Sequence, residues 1–305
     1  MQLGIIGGRL AGRLVLVVVS GTLVAGGSVV SVQADPLWPG GPDVPGLSTP
    51  RIPLPDPGAV KPSDEQPLAR ANFSTPVLDP VDGETVGIAQ PVIISFTAAI
   101  GDRETAEKAI RVSTEPEVDG AYRWVGNREL RWKPAGFWPA GTKVKVQAGS
   151  AAAGFSVGEE WVATADDNTH TITVTVDGTT ARTIPTSMGA NENPTPNGVY
   201  TVGERFADVY LDSSTHGVPV DSPGGYRTYV EYATRLSNSG IFLHAAPWSV
   251  GQQGNTNVSR GGLNVSTDDA RWFFENAPKG APVVVQNTVG GTVDPADGLT
   301  DFTAP

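Results

Sequence analysis

The 305-residue sequence contains no cysteine. That excludes disulfide staples, a lipid-modified N-terminal cysteine and any thiol nucleophile, so each domain must be stable through its own apolar core. Histidine is nearly as scarce, with three copies, and His170 and His216 stand in no pattern with another chemistry-bearing residue. Positive charge is short too: 21 Lys and Arg face 32 Asp and Glu, a formal net charge of −11. An acidic surface repels phosphate, and no Lys/Arg cluster offers a local exception. Nucleic acid and anionic lipid surfaces are therefore not expected as partners. No metal and no other cofactor is expected.

What the chain has in quantity is glycine, 37 residues, and proline, 26. Its length leaves room for about two domains. Arg9 and Arg13, the apolar run Leu14 to Val24 and the small-residue site Val32-Gln33-Ala34 read as an export signal over residues 1–34. The apolar stretch, broken by Gly21, Gly26 and Gly27, is also long enough for an uncleaved membrane anchor. Either way the chain is expected to be exported to the cell envelope. Residues 35–72, "DPLWPGGPDVPGLSTPRIPLPDPGAVKPSDEQP" onward, are proline-rich. Proline locks φ and removes a donor, so this segment reads as an extended tether.

From about Phe73 the pattern turns to period-two alternation, at Val92/Ile94/Phe96, Tyr122/Trp124, Leu130/Trp132 and Val144/Val146. Turns at Asp82-Gly83, Gly126-Asn127 and Ala140-Gly141 separate these runs, which predicts an Ig-like β-sandwich over residues 73–165. Its tryptophans are expected in the core. Residues 166–290 are expected to be mainly β as well, with a hairpin at Asp177-Gly178 and strands near 198–203, 229–235, 240–245 and 281–286. One helix is predicted there, capped by Ser266 with Asp269 answering in a capping box, and ended by Pro278 and Gly280. Residues 291–305 form a C-terminal tail.

The stretch "IFLHAAPWSVGQQGNTNVSRGGLNVS", 241–266, has the form of an active-site loop: a histidine on a strand, a glycine-rich connection, then a helix. With its flanks, "SMGANENPTPNGVYTVGERF" and "YLDSSTHGVPVDSPGGYRTYVEYATRLSNSG", it resembles the YkuD-type catalytic domain of the L,D-transpeptidases, of the actinobacterial kind that carries an N-terminal Ig-like domain. The resemblance implies peptidoglycan chemistry, in which a cysteine thiolate takes the acyl group of a stem peptide and passes it to a neighbouring amine. It implies that His244 stands at the general-base position, Arg260 where the family motif has histidine, and Gly262 where the nucleophilic cysteine belongs. Tyr226, Ser239, Gly240, Ala245, Trp248 and Asn264 then fall at substrate-binding positions.

Glycine cannot form an acyl intermediate, and a guanidinium cannot accept a proton. The resemblance therefore implies a catalytically inactive relative that binds stem peptides, or an active transpeptidase, in a retained pocket. Two alternatives stand beside it: an enzyme with a relocated nucleophile such as Ser259, and a structural envelope spacer. Arg260 would either hold a ligand carboxylate or form an inward salt bridge to Asp208, Asp221 or Glu231.

Overall fold

A computed structural model describes residues 67–303. The expected signal and nearly all of the expected tether lie outside the described residues. Among the described residues no helix is long and apolar enough to cross a membrane.

The alternating runs of the first block become β1 Val77–Asp79, β2 Thr85–Val86, β3 Val92–Ser95, β4 Ile110–Glu115, β5 Gly120–Val125, β6 Glu129–Pro134, β7 Lys143–Ala148 and β8 Ala151–Val157. They pair as two four-stranded sheets, β1-β3-β6-β5 and β2-β8-β7-β4. Alternate side chains point to opposite faces, so each sheet turns one apolar row inward. Ile94, Leu130, Trp138, Val144 and Val146 meet there as a single core. Trp132 and Trp138 are buried in it with rings 5.2 Å apart. A six-residue helix, α1 Arg103–Lys108, was not expected; the Asp102 side chain caps it by accepting from Thr105 N at 3.1 Å.

The second block contributes β9 Trp161–Asp166, β10 Thr171–Val176, β11 Thr179–Pro185, β12 Gly198–Thr201, β13 Arg205–Asp212, β14 Arg227–Arg235, β15 Phe242–Ala245, β16 Leu263–Val265, α2 Thr267–Asn276 and β17 Pro282–Gln286. One sheet runs β11-β10-β9-β17-β12 and the other β13-β14-β15-β16. The Asp177-Gly178 turn joins β10 to β11 with positive φ at both residues, 48° and 74°, as a two-residue hairpin requires. The core between these sheets collects Trp161, Leu243, Leu263, Val265 and Phe273, the last from α2, which lies against β14 and β15.

The α2 cap differs in one detail from the expected capping box. Ser266 Oγ accepts from Asp269 N at 3.1 Å as foreseen. The Asp269 carboxylate, however, accepts from the Ser266 hydroxyl and from Arg182 of β11 rather than from the Ser266 backbone. Aspartate is one methylene shorter than the glutamate of that motif, so the nearby hydroxyl takes the place of the backbone donor.

Residues 294–303 fold back over both blocks. Asp301, whose side chain is 2% exposed, pairs with Arg131 and Arg123 of the sandwich. Leu299 O accepts from Thr201 N at 2.7 Å, and Asp297 accepts from Asn238 N and Ser239 N at 2.6 and 2.9 Å. A second tie joins the blocks where Lys279 pairs with Asp79 and Glu84.

Candidate functional site

Strand parity builds the site. On β15, Leu243 and Ala245 face the core, so Phe242 and His244 face the other way. On β16, Leu263 and Val265 face the core, which turns Gly262 and Asn264 to the same side as His244. The two strands are parallel with His244 opposite Asn264, so these two side chains are cross-strand neighbours. A cavity of about 290 Å³ opens over this floor. Its roof comes from the hairpin of β13 and β14, through Leu211, Thr228 and Val230. Its rim is closed by Tyr226, Trp248, Val258 and Arg260.

His244 is buried, and burial drives its pKa below the ordinary 6.5, since the charged form would lose its hydration. Its Nδ1 lies 2.9 Å from Ala245 O. A carbonyl only accepts, so Nδ1 carries the proton and Nε2 is left as a basic lone pair. A Cβ built on Gly262 would lie 3.9 Å from that Nε2, so position 262 is the one that a side chain would use to reach the base. The same Cβ would lie 2.9 Å from Phe242 O, closer than side-chain carbons normally approach backbone. A side chain at 262 therefore requires the loop or β15 to shift.

Arg260 is exposed at the pocket edge. Its guanidinium lies over the Tyr226 ring at 5.2 Å, and Nη1 donates to Gly225 O at 3.3 Å. Of the two alternatives for Arg260, the inward salt bridge is not formed: among the described residues it has no ion pair with Asp208, Asp221 or Glu231. Strand parity is the reason for two of them. Val209 and Leu211 face inward, so Asp208 points outward, as does its cross-strand partner Glu231, and both are exposed. Burial raises the pKa of the Tyr226 phenol, and the Arg260 cation pulls it the other way.

Of the residues singled out from the sequence, Tyr226, Gly240, His244, Trp248, Arg260, Gly262 and Asn264 are brought together around the cavity. Trp248 remains 57% exposed, its ring 6.0 Å from that of His244. Two do not line it. Ala245 is a core residue at 2% exposure, as its place one step from His244 on a strand demands, and it acts through the carbonyl that orients the imidazole. Ser239 lies in the turn before β15, where its backbone is held by Asp297 and its hydroxyl is 3.0 Å from that of Ser237.

Ser259, offered as a replacement nucleophile, lines the cavity, but its hydroxyl proton is committed to backbone. Ser259 Oγ donates to Gly262 O at 2.6 Å, and Ser266 caps α2. His170, which the sequence left without a partner, lies 3.3 Å from Asp167 on the turn into β10.

Leu211, Thr228, Val230, Phe242 and Val258 were not foreseen as lining residues. Strand alternation through His244, and along β14, is the signal that could have found Phe242, Thr228 and Val230.

Comparison with known proteins agrees with this architecture. Residues 66–152 match the model of the bacterial Ig domain, and residues 160–285 that of the L,D-transpeptidase catalytic domain. The chain is 48% identical to L,D-transpeptidase 2 of Mycobacterium tuberculosis over 254 residues, which covers 79% of this chain and 62% of that relative. It is 38% identical to L,D-transpeptidase 1 of Mycobacterium tuberculosis over 208 residues, covering 68% of this chain and 83% of the relative. Among solved structures it is similar to L,D-transpeptidase 3 from Mycobacterium tuberculosis in complex with a faropenem-derived adduct. There the TM-score is 0.63 at 38% identity, covering 69% of this chain and 97% of the other.

Proposed function

The chain belongs to the L,D-transpeptidase family, and from that premise we propose that it is a member without transpeptidase chemistry, which binds peptidoglycan stem peptides through a carboxylate. It works at the cell envelope, exported by residues 1–34 as signal or anchor and held off by the tether of 35–72.

One observation carries the reading. Glycine occupies the position whose side chain would reach His244 Nε2, while a cavity lined by His244 and Asn264 opens over it and is edged by Arg260. The whole sequence has no cysteine to supply a thiolate. Loss of a nucleophile costs on the order of 10⁶ in turnover in hydrolases of similar logic. What remains is a receptor. The Arg260 guanidinium lies over the Tyr226 ring, and among the described residues Gly225 O is the one acceptor it meets, which leaves further N–H donors for a ligand. Such a preorganised edge suits bidentate recognition of a carboxylate.

The test is intact-mass analysis of the purified protein after incubation with a carbapenem. The expected outcome is an unchanged mass. A stoichiometric covalent adduct would overturn the reading, because it requires a nucleophile in the pocket. Pull-down on isolated sacculi supplies the positive arm: binding is expected, and it should be lost in the Arg260→Ala/Tyr226→Ala double variant.

A further inference from the structure

The hydrogen bonds beneath the pocket floor have a direction, and that direction determines what the floor offers a ligand. Ser249 has a single hydroxyl proton, and it is donated to Ala246 O at 3.2 Å. Its oxygen therefore acts toward its other neighbours as an acceptor. Gln253 Nε2 donates to it at 3.3 Å, and Asn264 Nδ2 donates to it from the opposite side, also at 3.3 Å. Gln253 Nε2 also reaches Ala246 O at 3.1 Å, which anchors the arrangement to the backbone. The consequence is that the Asn264 amide has its N–H side turned to Ser249 and its Oδ1 left over. Among the described residues no donor reaches that Oδ1, although Asn264 is only 4% exposed and lines the cavity.

The neighbouring position repeats the pattern. His244, directly across the parallel ladder from Asn264, gives its one proton to Ala245 O and turns a bare Nε2 to the cavity. The floor thus presents two acceptors side by side, with no donor side chain between them, since residue 262 is glycine. Four residues before Asn264, at the rim, Arg260 presents donors alone. A pocket with acceptors on its floor and a cation at its edge is complementary to a ligand of the opposite polarity at each end.

Resting on the reading of this pocket as a carboxylate receptor, we infer that its ligand is a zwitterion. The ligand's ammonium group donates to Asn264 Oδ1 and His244 Nε2, while its carboxylate is held by Arg260. The ligand class is therefore a free amino acid or a short peptide unit with an unblocked amine, rather than any carboxylate. Ser249 is the positioning residue: it touches no ligand and sets the sense of Asn264.

Ligand-observed NMR titration of the full chain tests this with alanine, alanyl-alanine and alanyl-alanyl-alanine, in L and D forms. Each is compared with its deaminated and its C-amidated analogue. The expected result is that at least one zwitterion binds, with both of its analogues at least tenfold weaker. Asn264→Leu should reduce zwitterion binding to the level of the deaminated analogue. Ser249→Ala should do the same while leaving the deaminated carboxylate unaffected, and Ser249→Thr should restore it. Should the deaminated analogue bind as tightly as the zwitterion, the inference falls and the carboxylate reading stands. If no carboxylate binds at all, both fall. Zwitterion binding that survives both Asn264→Leu and Ser249→Ala in folded protein also overturns it.

Discussion

Arg131 and Arg260 carry the same planar cation into opposite circumstances. Arg131 is buried where the sandwich meets the C-terminal segment, with Nε on Glu129 at 2.6 Å and Nη1 on both Gly298 O and the buried Asp301 carboxylate. Arg260 is exposed, stacked on one ring and bonded to one carbonyl. A buried charge survives folding only when its donors are matched, so the surroundings of Arg131 are a requirement of the fold. No such requirement explains Arg260. A cation at the rim of a cavity, with one carbonyl as its hydrogen-bond acceptor among the described residues, is not demanded by the fold, which marks it as a property of the site.

The sharpest way to break this contrast is Asp301→Ala, which leaves Arg131 and Arg123 beside an uncompensated gap. Equilibrium denaturant unfolding should record a loss of about 3–5 kcal/mol. A loss below half a kilocalorie would show that the interface cation is no more essential than the rim one. Gly262→Cys comes next. Its Cβ meets Phe242 O, and the backbone shift needed to admit it should cost about 1–3 kcal/mol. Combined with Arg260→His, it should also gain a carbapenem adduct in the intact-mass assay; a folded double variant that stays inert would mean that His244 no longer serves position 262.

A smaller, pH-dependent effect belongs to His244. Burial holds its folded pKa below 6.5, so the unfolded chain binds the proton more readily. Its contribution to stability is therefore complete above that value and is lost as pH falls through the lower folded pKa. Thermal melts between neutral and acid pH should show this slope, and His244→Gln should flatten it. Arg260→Ala should move stability least, within about 0.5 kcal/mol. If it destabilises the chain as much as Asp301→Ala does, Arg260 is a structural cation and the contrast disappears.

Alternation made most strands legible from sequence, because a half-buried sheet imposes a period of two on its residues. β13 escaped notice for the same reason in reverse. Its ladder with β14 runs from Phe206↔Ala233 directly to Asp208↔Glu231, and Tyr232 takes a φ of 49°, so the irregularity breaks the period across "RFADVYLD". β16 has three residues and exists because β15 lies beside it, which no local pattern announces. Within the site, the residue types of His244, Gly262 and Asn264 were readable, whereas the placement of Ala245 followed from parity that the resemblance had overridden. The stacking of Arg260 on Tyr226 joins residues far apart in sequence and was beyond local reading. Ser239 is fixed by Asp297, 58 residues on, through a contact that depends on how the C-terminal segment returns.

The nearness of Gly262 to Phe242 O also ties the chemistry available at this position to the fold. Any replacement at 262 brings a carbon to within 2.9 Å of a backbone oxygen, so a mutant is screened by folding before its chemistry can be tried. Regaining a side chain there couples the chemistry to a backbone shift between β15 and β16, so the stability cost is met in the same step that restores reach to His244. A change at 262 therefore falls first on the fold, whereas a change at the exposed Arg260 falls on what the pocket holds.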